Sequence, residues 1–479
     1  MATITSLGVG SGLDLNTIVT KLVAVERRPL QAIQAQARNL QGEVSSFGQI
    51  SSLMSALQTA SNALTDPTLW SRSSVSSGDA SVVSVQSGSN VAAGNYAVTV
   101  QSLASSQTLA SGAAFPDASA LVGSGTLSLE LGSWDSTQSN FAPKAGGQAA
   151  QIQIGATDTL QTVRDKINSA GAGVTASLIT DSSGVRLSLR SGSTGAANGF
   201  RVTAADNDGN NNDALGLSLI AFDPPNGATA MQLMQGSADA KATVNGIAVS
   251  STTNSLGSVV DGLTMNLNKV SATPVNVTAT SDQAAVATTI KSFATAYNAL
   301  ATYIGEQTKY DPTSKSGGVL QGDGAATNLQ EKLRSMLGAT SGASSTFARL
   351  SDTGLQLQRD GTLLVNPTQL DAATTNLGEL KKAFSSRDSS NSGNDGFARR
   401  YADMATQALG LGGTITTRTT GLNKLISKNT DDQAALNSRV DAFQARLVSQ
   451  YTALDAKVAQ LNSLSAYVTQ QVAQWNKQN

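Results

Sequence analysis

The sequence predicts an α+β, multidomain chain: helical terminal legs and an α-rich domain, built from the N- and C-terminal segments together, with two inserted β-rich domains. Three observations carry this reading. Leu436, Val440, Phe443, Leu447, Tyr451, Leu454, Val458, Leu461, Ser465, Val468, Val472 and Trp475 follow each other at steps of three or four with no Pro or Gly among them, a heptad stripe with one stutter. At the other end Ile33, Ala37, Leu40, Val44, Phe47, Ile50, Met54, Leu57 and Leu64 keep mostly the same spacing. Between these ends the apolar period is largely two, the period of strands. Helical ends around a β middle mean that the chain goes out and comes back, with its termini side by side. Read as one helix, residues 436–475 would be roughly 60 Å long, too long for the core of one compact domain. The seam therefore calls for a second helix, and the N-terminal stripe is the candidate within the chain.

From the N-terminus, residues 6–12 (SLGVGSG) read as a flexible lead-in, and Asp14 is placed to cap a helix whose apolar face is Leu15, Ile18, Leu22 and Val25. Pro29 ends or kinks that helix and suits the first turn of the next, which runs to about Leu64, ahead of Asp66-Pro67. At Val75 alternation sets in. Val82 and Val85, then Tyr96, Val98 and Val100, predict strands around the loop at 87–95, and Leu127, Leu129, Leu131, Ile152 and Ile154 repeat the pattern. A change of domain is expected near Leu103. Residues 159–170 predict a short helix with Leu160, Val163 and Ile167 on one face, followed by a hairpin through Asp181-Ser182-Ser183-Gly184 and a strand at 200–203. Polar loops at 206–213 and 223–227 then lead out of this domain near Gln235.

Val244 and Ile247 flank Asn245-Gly246, a strong hairpin signal. Leu263, Met265, Leu267, Val275 and Val277 complete a small sheet expected to pair with the strands at 75–103. Asp282 precedes a helix carrying Val286, Ile290, Phe293, Tyr297, Leu300 and Ile304, and Leu329, Leu333 and Leu337 mark another. Residues 355–365 form a lone hairpin through Asp360-Gly361, Asn366-Pro367 opens one helix through Leu370 and Leu377, and 385–395 is a Ser/Asn/Gly linker. Phe397, Tyr401, Met404 and Ala408 form the last helix before the glycines at 410–413, beyond which the terminal helical region begins.

The bulk numbers exclude more than they assert. A length of 479 residues suggests about three domains. With 32 Lys+Arg against 33 Asp+Glu, nothing pulls the chain toward nucleic acid or an anionic membrane. Cys and His are both absent, which removes disulfides, thiolate nucleophiles, imidazole bases and nearly all transition-metal sites. A chain without thiols also suits passage, unfolded, into an oxidising space. Residues 1–30 lack a basic segment followed by a long apolar run, so neither a cleavable signal nor a transmembrane span is expected.

Chemical motifs are weak. Asp206, Asp208, Asn210 and Asn212 alternate as calcium ligands do, yet Asn211 stands where an EF-hand needs Gly and Leu217 where it needs Glu, so a solvated Asp-Gly turn is the better account. Gly8, Gly10 and Gly12 follow no strand and precede no Gly-Lys pair, so they read as a tether and not as a phosphate loop. No G-x-S-x-G or S-x-x-K arrangement occurs. A hydrolase would need a facing carboxylate pair, which spacing does not reveal; the chain reads as no enzyme, with no cofactor and no metal.

At this point the residues resemble one family. Residues 8–19 (GVGSGLDLNTIV) and 26–30 (ERRPL) resemble the N-terminal signature of the flagellar filament cap proteins, the hook-associated proteins two. Residues 245–267, Asp282 and 293–298 (FATAYN) are similar to the start of that family's C-terminal half; 318–323 (GVLQGD), 354–365 (GLQLQRDGTLLV), 412–422 (GGTITTRTTGL) and 450–455 (QYTALD) extend the match in the family's order. Residues 159–200 look like the small repeat shared by hook and flagellin-type axial proteins, whereas 107–151 and 206–235 match weakly.

The resemblance implies an extracellular cap at the distal tip of the bacterial flagellum, exported through its channel, which retains flagellin and promotes its folding and polymerisation. Implied partners are the chain itself, in a cyclic homo-oligomer of about four to six copies, flagellin, and the flagellar export machinery with its chaperone; neither nucleic acid nor membrane insertion is expected. A surface adhesin, with a host mucin or receptor bound by the outer β-rich domains, is the alternative. The expected layout is terminal legs at 1–42 and 424–479, an α-rich domain at 43–72 and 284–423, an inner β-rich domain at 73–102 and 238–283, and an outer one at 103–237 with the repeat at 157–204. The legs are expected to bind flagellin through Leu15, Ile18, Leu22, Leu436, Val440, Phe443, Leu447, Leu454, Val458, Leu461, Val468 and Val472, and to order only when a partner covers their seam.

Overall fold

The computed structural model describes residues 14–476 except 89, 113, 214 and 314; the lead-in at 6–12 lies outside the described residues. Leu15–Glu26 (α1) starts where the Asp14 carboxylate accepts the Thr17 N–H at 3.0 Å, which satisfies one of the free donors of the first turn. Arg27 alone separates α1 from Arg28–Thr65 (α2), and Pro29 sits in the first turn of α2, where its missing N–H leaves no bond unmade. Past Asp66 a single turn, Pro67–Trp70 (α3), lets the Trp70 indole donate to the Leu64 carbonyl at 2.9 Å.

Residues 71–282 form one compact unit in which every strand pairing is antiparallel. Its strands are β1 (Ser73–Ser77), β2 (Val83–Ser87), β3 (Gly94–Ser102), β4 (Thr108–Ser111), β5 (Gly125–Trp134), β6 (Phe141–Pro143) and β7 (Ala150–Ile154), then the helix α4 (Leu160–Ser169), then β8 (Val174–Asp181), β9 (Gly184–Ser191), β10 (Gly199–Asp206), β11 (Met231–Gln235), β12 (Ala240–Val244), β13 (Ile247–Ser251), β14 (Ser255–Val260), β15 (Leu263–Leu267) and β16 (Val275–Ser281). Two cores result. The sheets β1-β16-β3-β12-β13 and β14-β15-β2 enclose Val83, Val98, Val100, Leu263, Met265 and Val277. The sheets β11-β4-β9-β8 and β10-β5, with β6 and β7 both on the far side of β5, close with α4 around Leu127, Leu160, Val163, Leu187, Phe200 and Val202. The chain crosses between the cores twice, outward near Ser105 and back near Ala238, and these two crossings bridge each other. Gln107, fully buried just beyond, accepts the Phe200 N–H and donates to the Phe200 carbonyl, both at 2.8 Å.

The returning helices join α2 in a second compact unit. They are α5 (Gln283–Thr308), α6 (Gly324–Gly338), α7 (Pro367–Thr374), α8 (Leu377–Ser385), α9 (Phe397–Leu409) and α10 (Thr414–Trp475), with small ladders of β17 (Tyr310–Asp311) with β18 (Ser316–Gly317) and β19 (Leu355–Leu357) with β20 (Leu363–Val365). Their core gathers Phe47, Ile50, Met54 and Leu57 of α2, Ile290, Phe293 and Tyr297 of α5, Tyr401 of α9 and Leu422 of α10. Asn298 of α5 clamps the β19–β20 hairpin, donating to the Leu363 carbonyl at 2.8 Å and accepting its N–H at 2.6 Å. One expectation is corrected: the single helix from Asn366 through Leu377 is two helices, because Asn376 turns its side chain to accept the Glu379 N–H at 3.3 Å and opens a new helix there.

Candidate interaction surface

α10 spans 62 residues, roughly 93 Å at about 1.5 Å per residue, and its surroundings change along its length. Near its start it belongs to the α-rich core, with Ile415 and Leu422 buried. There Arg418 reaches two carboxylates, donating to Asp323 Oδ2 at 2.7 Å and to Glu43 Oε2 at 2.9 Å, so that α10, α6 and α2 meet at one guanidinium. The other oxygen of Asp323 caps α6 by accepting the Ala325 and Ala326 N–H groups at 2.9 and 3.0 Å. Burial pushes the Glu43 carboxyl above the usual carboxylate range, and the charge of Arg418 opposes that shift.

Three turns further on, Asn429 is buried against α2 and donates to the Ile33 carbonyl at 3.0 Å, while Gln433 donates to Asn429 Oδ1 at 2.7 Å. A buried amide with a specific partner fixes the register of two helices, since a slip would strand it. Beyond it α1 lies on α10. Val19 and Val23 pack with Leu436, Val440 and Leu447, flanked by Leu30, Ile33, Phe443, Val448 and Tyr451. Arg439 pairs with Glu26 at 2.9 Å and Arg27 with Asp441 at 4.0 Å along the edges of this contact.

Past Tyr451 the seam is open. Leu454, Leu461, Leu464, Tyr467, Val468 and Val472 are exposed, Leu461 by 63% and Tyr467 by 58%, and Val458 is half-buried. The twelve expected contact residues therefore divide by place. Leu15, Leu436, Val440 and Leu447 are buried, Phe443 is partly buried, and Ile18, Leu22 and most of the distal set face solvent.

Two expectations change. The buried face of α1 is Leu15, Val19 and Val23, whereas Ile18, Leu22 and Val25 form a second, exposed strip. Both faces repeat at helical spacing, so period alone could not choose between them. The chain's own cover for the terminal stripe is α1 with the first turns of α2, while Leu40 to Leu64 belong to the α-rich core. Among the described residues, the large apolar side chains of the ends are exposed mainly beyond Tyr451 and along the outer strip of α1. Sequence reasoning also passed over Asn429 and the Arg418 junction, because a polar residue in a helix carries no mark of burial.

In the loop at 206–213, Asp206 Oδ2 accepts the Leu217 and Ser218 N–H groups at 2.6 and 3.2 Å, so its carboxylate caps the turn that follows. No group of three or more acidic residues is arranged to hold a metal ion among the described residues. No described helix is long and apolar enough to cross a membrane.

Comparison with known proteins agrees with this architecture. The family model described as flagellar hook-associated protein 2 N-terminus matches residues 11–107, and that of its C-terminus matches 237–463. The flagellin hook IN motif matches 144–193, a span that holds β7, α4, β8 and β9. The chain is 32% identical to flagellar hook-associated protein 2 of Escherichia coli (strain K12), over 98% of each chain. It is 30% identical to B-type flagellar hook-associated protein 2 of Pseudomonas aeruginosa, over 98% of this chain and 97% of that one. The crystal structure of the flagellar cap protein FliD D1-D2-D3 domains from Escherichia coli superposes with a TM-score of 0.60 at 27% identity, covering 79% of this chain and 99% of the other.

Proposed function

The chain belongs to the family of flagellar hook-associated protein 2, the flagellar cap proteins, and on that premise we propose how it acts. It is a structural cap at the distal end of the bacterial flagellar filament, which retains exported flagellin and promotes its folding and polymerisation. A growing filament end is an open, heterologous assembly that never closes on itself. A lid on that end holds emerging subunits where they must add, which raises their effective concentration there.

In our reading, the legs at 1–42 and 424–479 contact flagellin. The observation that supports this best is the bare half of α10, where Leu454, Leu461, Val468 and Val472 continue a helical stripe into solvent. A stripe of that length is an interaction site far more often than a solvated face. Ile18 and Leu22 add a second strip, Leu15 is buried, and Leu436, Val440, Phe443 and Leu447 hold the leg together with Val19 and Val23. The four apolar clusters support the remaining assignments: an α-rich domain at 43–72 and 284–423, an inner β-rich domain at 73–102 and 238–283, and an outer one at 103–237. Contacts between copies in the cap ring come from the α-rich and inner β-rich domains.

Truncation after Tyr451 tests the assignment, since it removes the open seam and leaves the contact with α1 intact. Purified truncated protein is expected to melt like the full chain, yet to fail to restart filament growth when supplied to cells that lack their own cap. Filaments of normal length would reject the leg assignment.

A further inference from the structure

The seam of α10 is one stripe in two conditions, covered by α1 over residues 436–447 and exposed from Leu454 to Val472. What α1 brings to the covered half states the chemistry that the seam accepts. It offers a helix with Val19 and Val23 one turn apart, and at its end Glu26 and Arg27 meet Arg439 and Asp441. Past the stutter at Phe443, Leu447 and Tyr451 the steps again alternate between three and four, so an amphipathic helix fits there as well.

Three features make α1 a weakly held occupant. It has 12 residues, a length at which a lone helix in water is marginal. Its ion pairs to α10 lie largely in solvent, where such pairs contribute little. At its junction with α2 the Arg27 N–H still donates to the Val23 carbonyl at 3.0 Å, but Pro29 has no N–H to add a further bond there.

We infer that α1 is a stand-in on a helix-docking surface: an amphipathic helix of the partner, apolar at alternating steps of three and four, lands on α10 at 454–472 and extends toward Leu436 by displacing α1. This rests on the reading of the legs as the flagellin-binding part. The incoming helix covers the whole stripe where α1 covers only its first part. Displaced, α1 frays without disturbing the core, because α2 continues into that core independently of it.

Amide hydrogen exchange of the full chain, with and without monomeric flagellin, tests the exchange of partners. Exchange at 454–472 is expected to slow while the amides of α1 speed up by about tenfold or more, as a freed short helix opens locally. Slowing at 454–472 with unchanged or slower α1 amides overturns the displacement and leaves the leg assignment standing; no slowing at 454–472 overturns both. A second measurement uses the absence of Cys. The double variant Glu26→Cys, Arg439→Cys has the only thiols in the chain, and a cleavable bismaleimide locks α1 onto α10. The locked protein is expected to fail to restart growth on cap-less cells and to recover on cleavage, whereas growth with the lock in place overturns the inference.

Discussion

At the scale of single residues, Glu379 shows how a polar chain is tied down. It sits in the first turn of α8 and accepts from Lys382 Nζ at 2.7 Å, Ser344 Oγ at 2.8 Å, the Ser345 N–H at 2.8 Å and Ser345 Oγ at 3.0 Å. Lys382 first, then the serine donors, hold its carboxyl at about 2, down from 4.5. A depressed carboxyl contributes stability that is present above its unfolded value and lost as pH falls, here between 4.5 and about 2. Glu43 works in the opposite sense: burial raises its pKa, so its contribution is present at low pH and fades as pH rises through the folded value. Urea unfolding of Glu379→Gln is therefore expected to show lower stability at neutral pH and a shallower decline between pH 4.5 and 2. An unchanged acid limb would show that Glu379 carries none of it. Asn429 belongs to this scale too, and its role was illegible beforehand, since only the fold shows which helical amide is buried.

At the scale of elements, local chemistry decides what periodicity leaves open. The β12–β13 turn places Asn245 at φ 50° and Gly246 at φ 81°, the backbone of a type I′ turn, and Asn245 Oδ1 accepts the Ala97 N–H at 2.8 Å, which ties the turn to β3. Gly246→Ala forces a side chain into the left-handed region at a cost of about 1–2 kcal/mol; the unfolding midpoint in urea checks this. This hairpin, the β8–β9 hairpin, α4, α5 and α9 were all legible, because turn residues or a single apolar face specify them. The break between α7 and α8 was not, as an apolar stripe runs past Thr375 and only the Asn376 cap interrupts it. The face of α1 was not either, because a helix with two strips needs its neighbour to choose.

At the scale of the whole molecule, the out-and-back course follows from one closure. β1 pairs with β16 from Ser73↔Ser281 to Ser77↔Val277, the Asp282 N–H donates to the Arg72 carbonyl at 2.9 Å, and Arg72 lies 3.4 Å from the Asp282 carboxylate. The ends of the inserted unit are thus joined, so residues 71–282 expressed alone are expected to melt as a folded protein; a non-cooperative melt would show that the unit needs the helices. The two β cores lie in one compact unit, with the crossings at Ser105 and Ala238 bridged to each other. α10 has a mechanical consequence of its own. It runs as one helix from the guanidinium junction at Arg418 to its bare end, without a loop, and its one glycine, Gly421, lies beside the buried Leu422 at the core end. A sideways load on that end therefore travels down a stiff rod, and the torque arrives where three helices are bolted to one arginine.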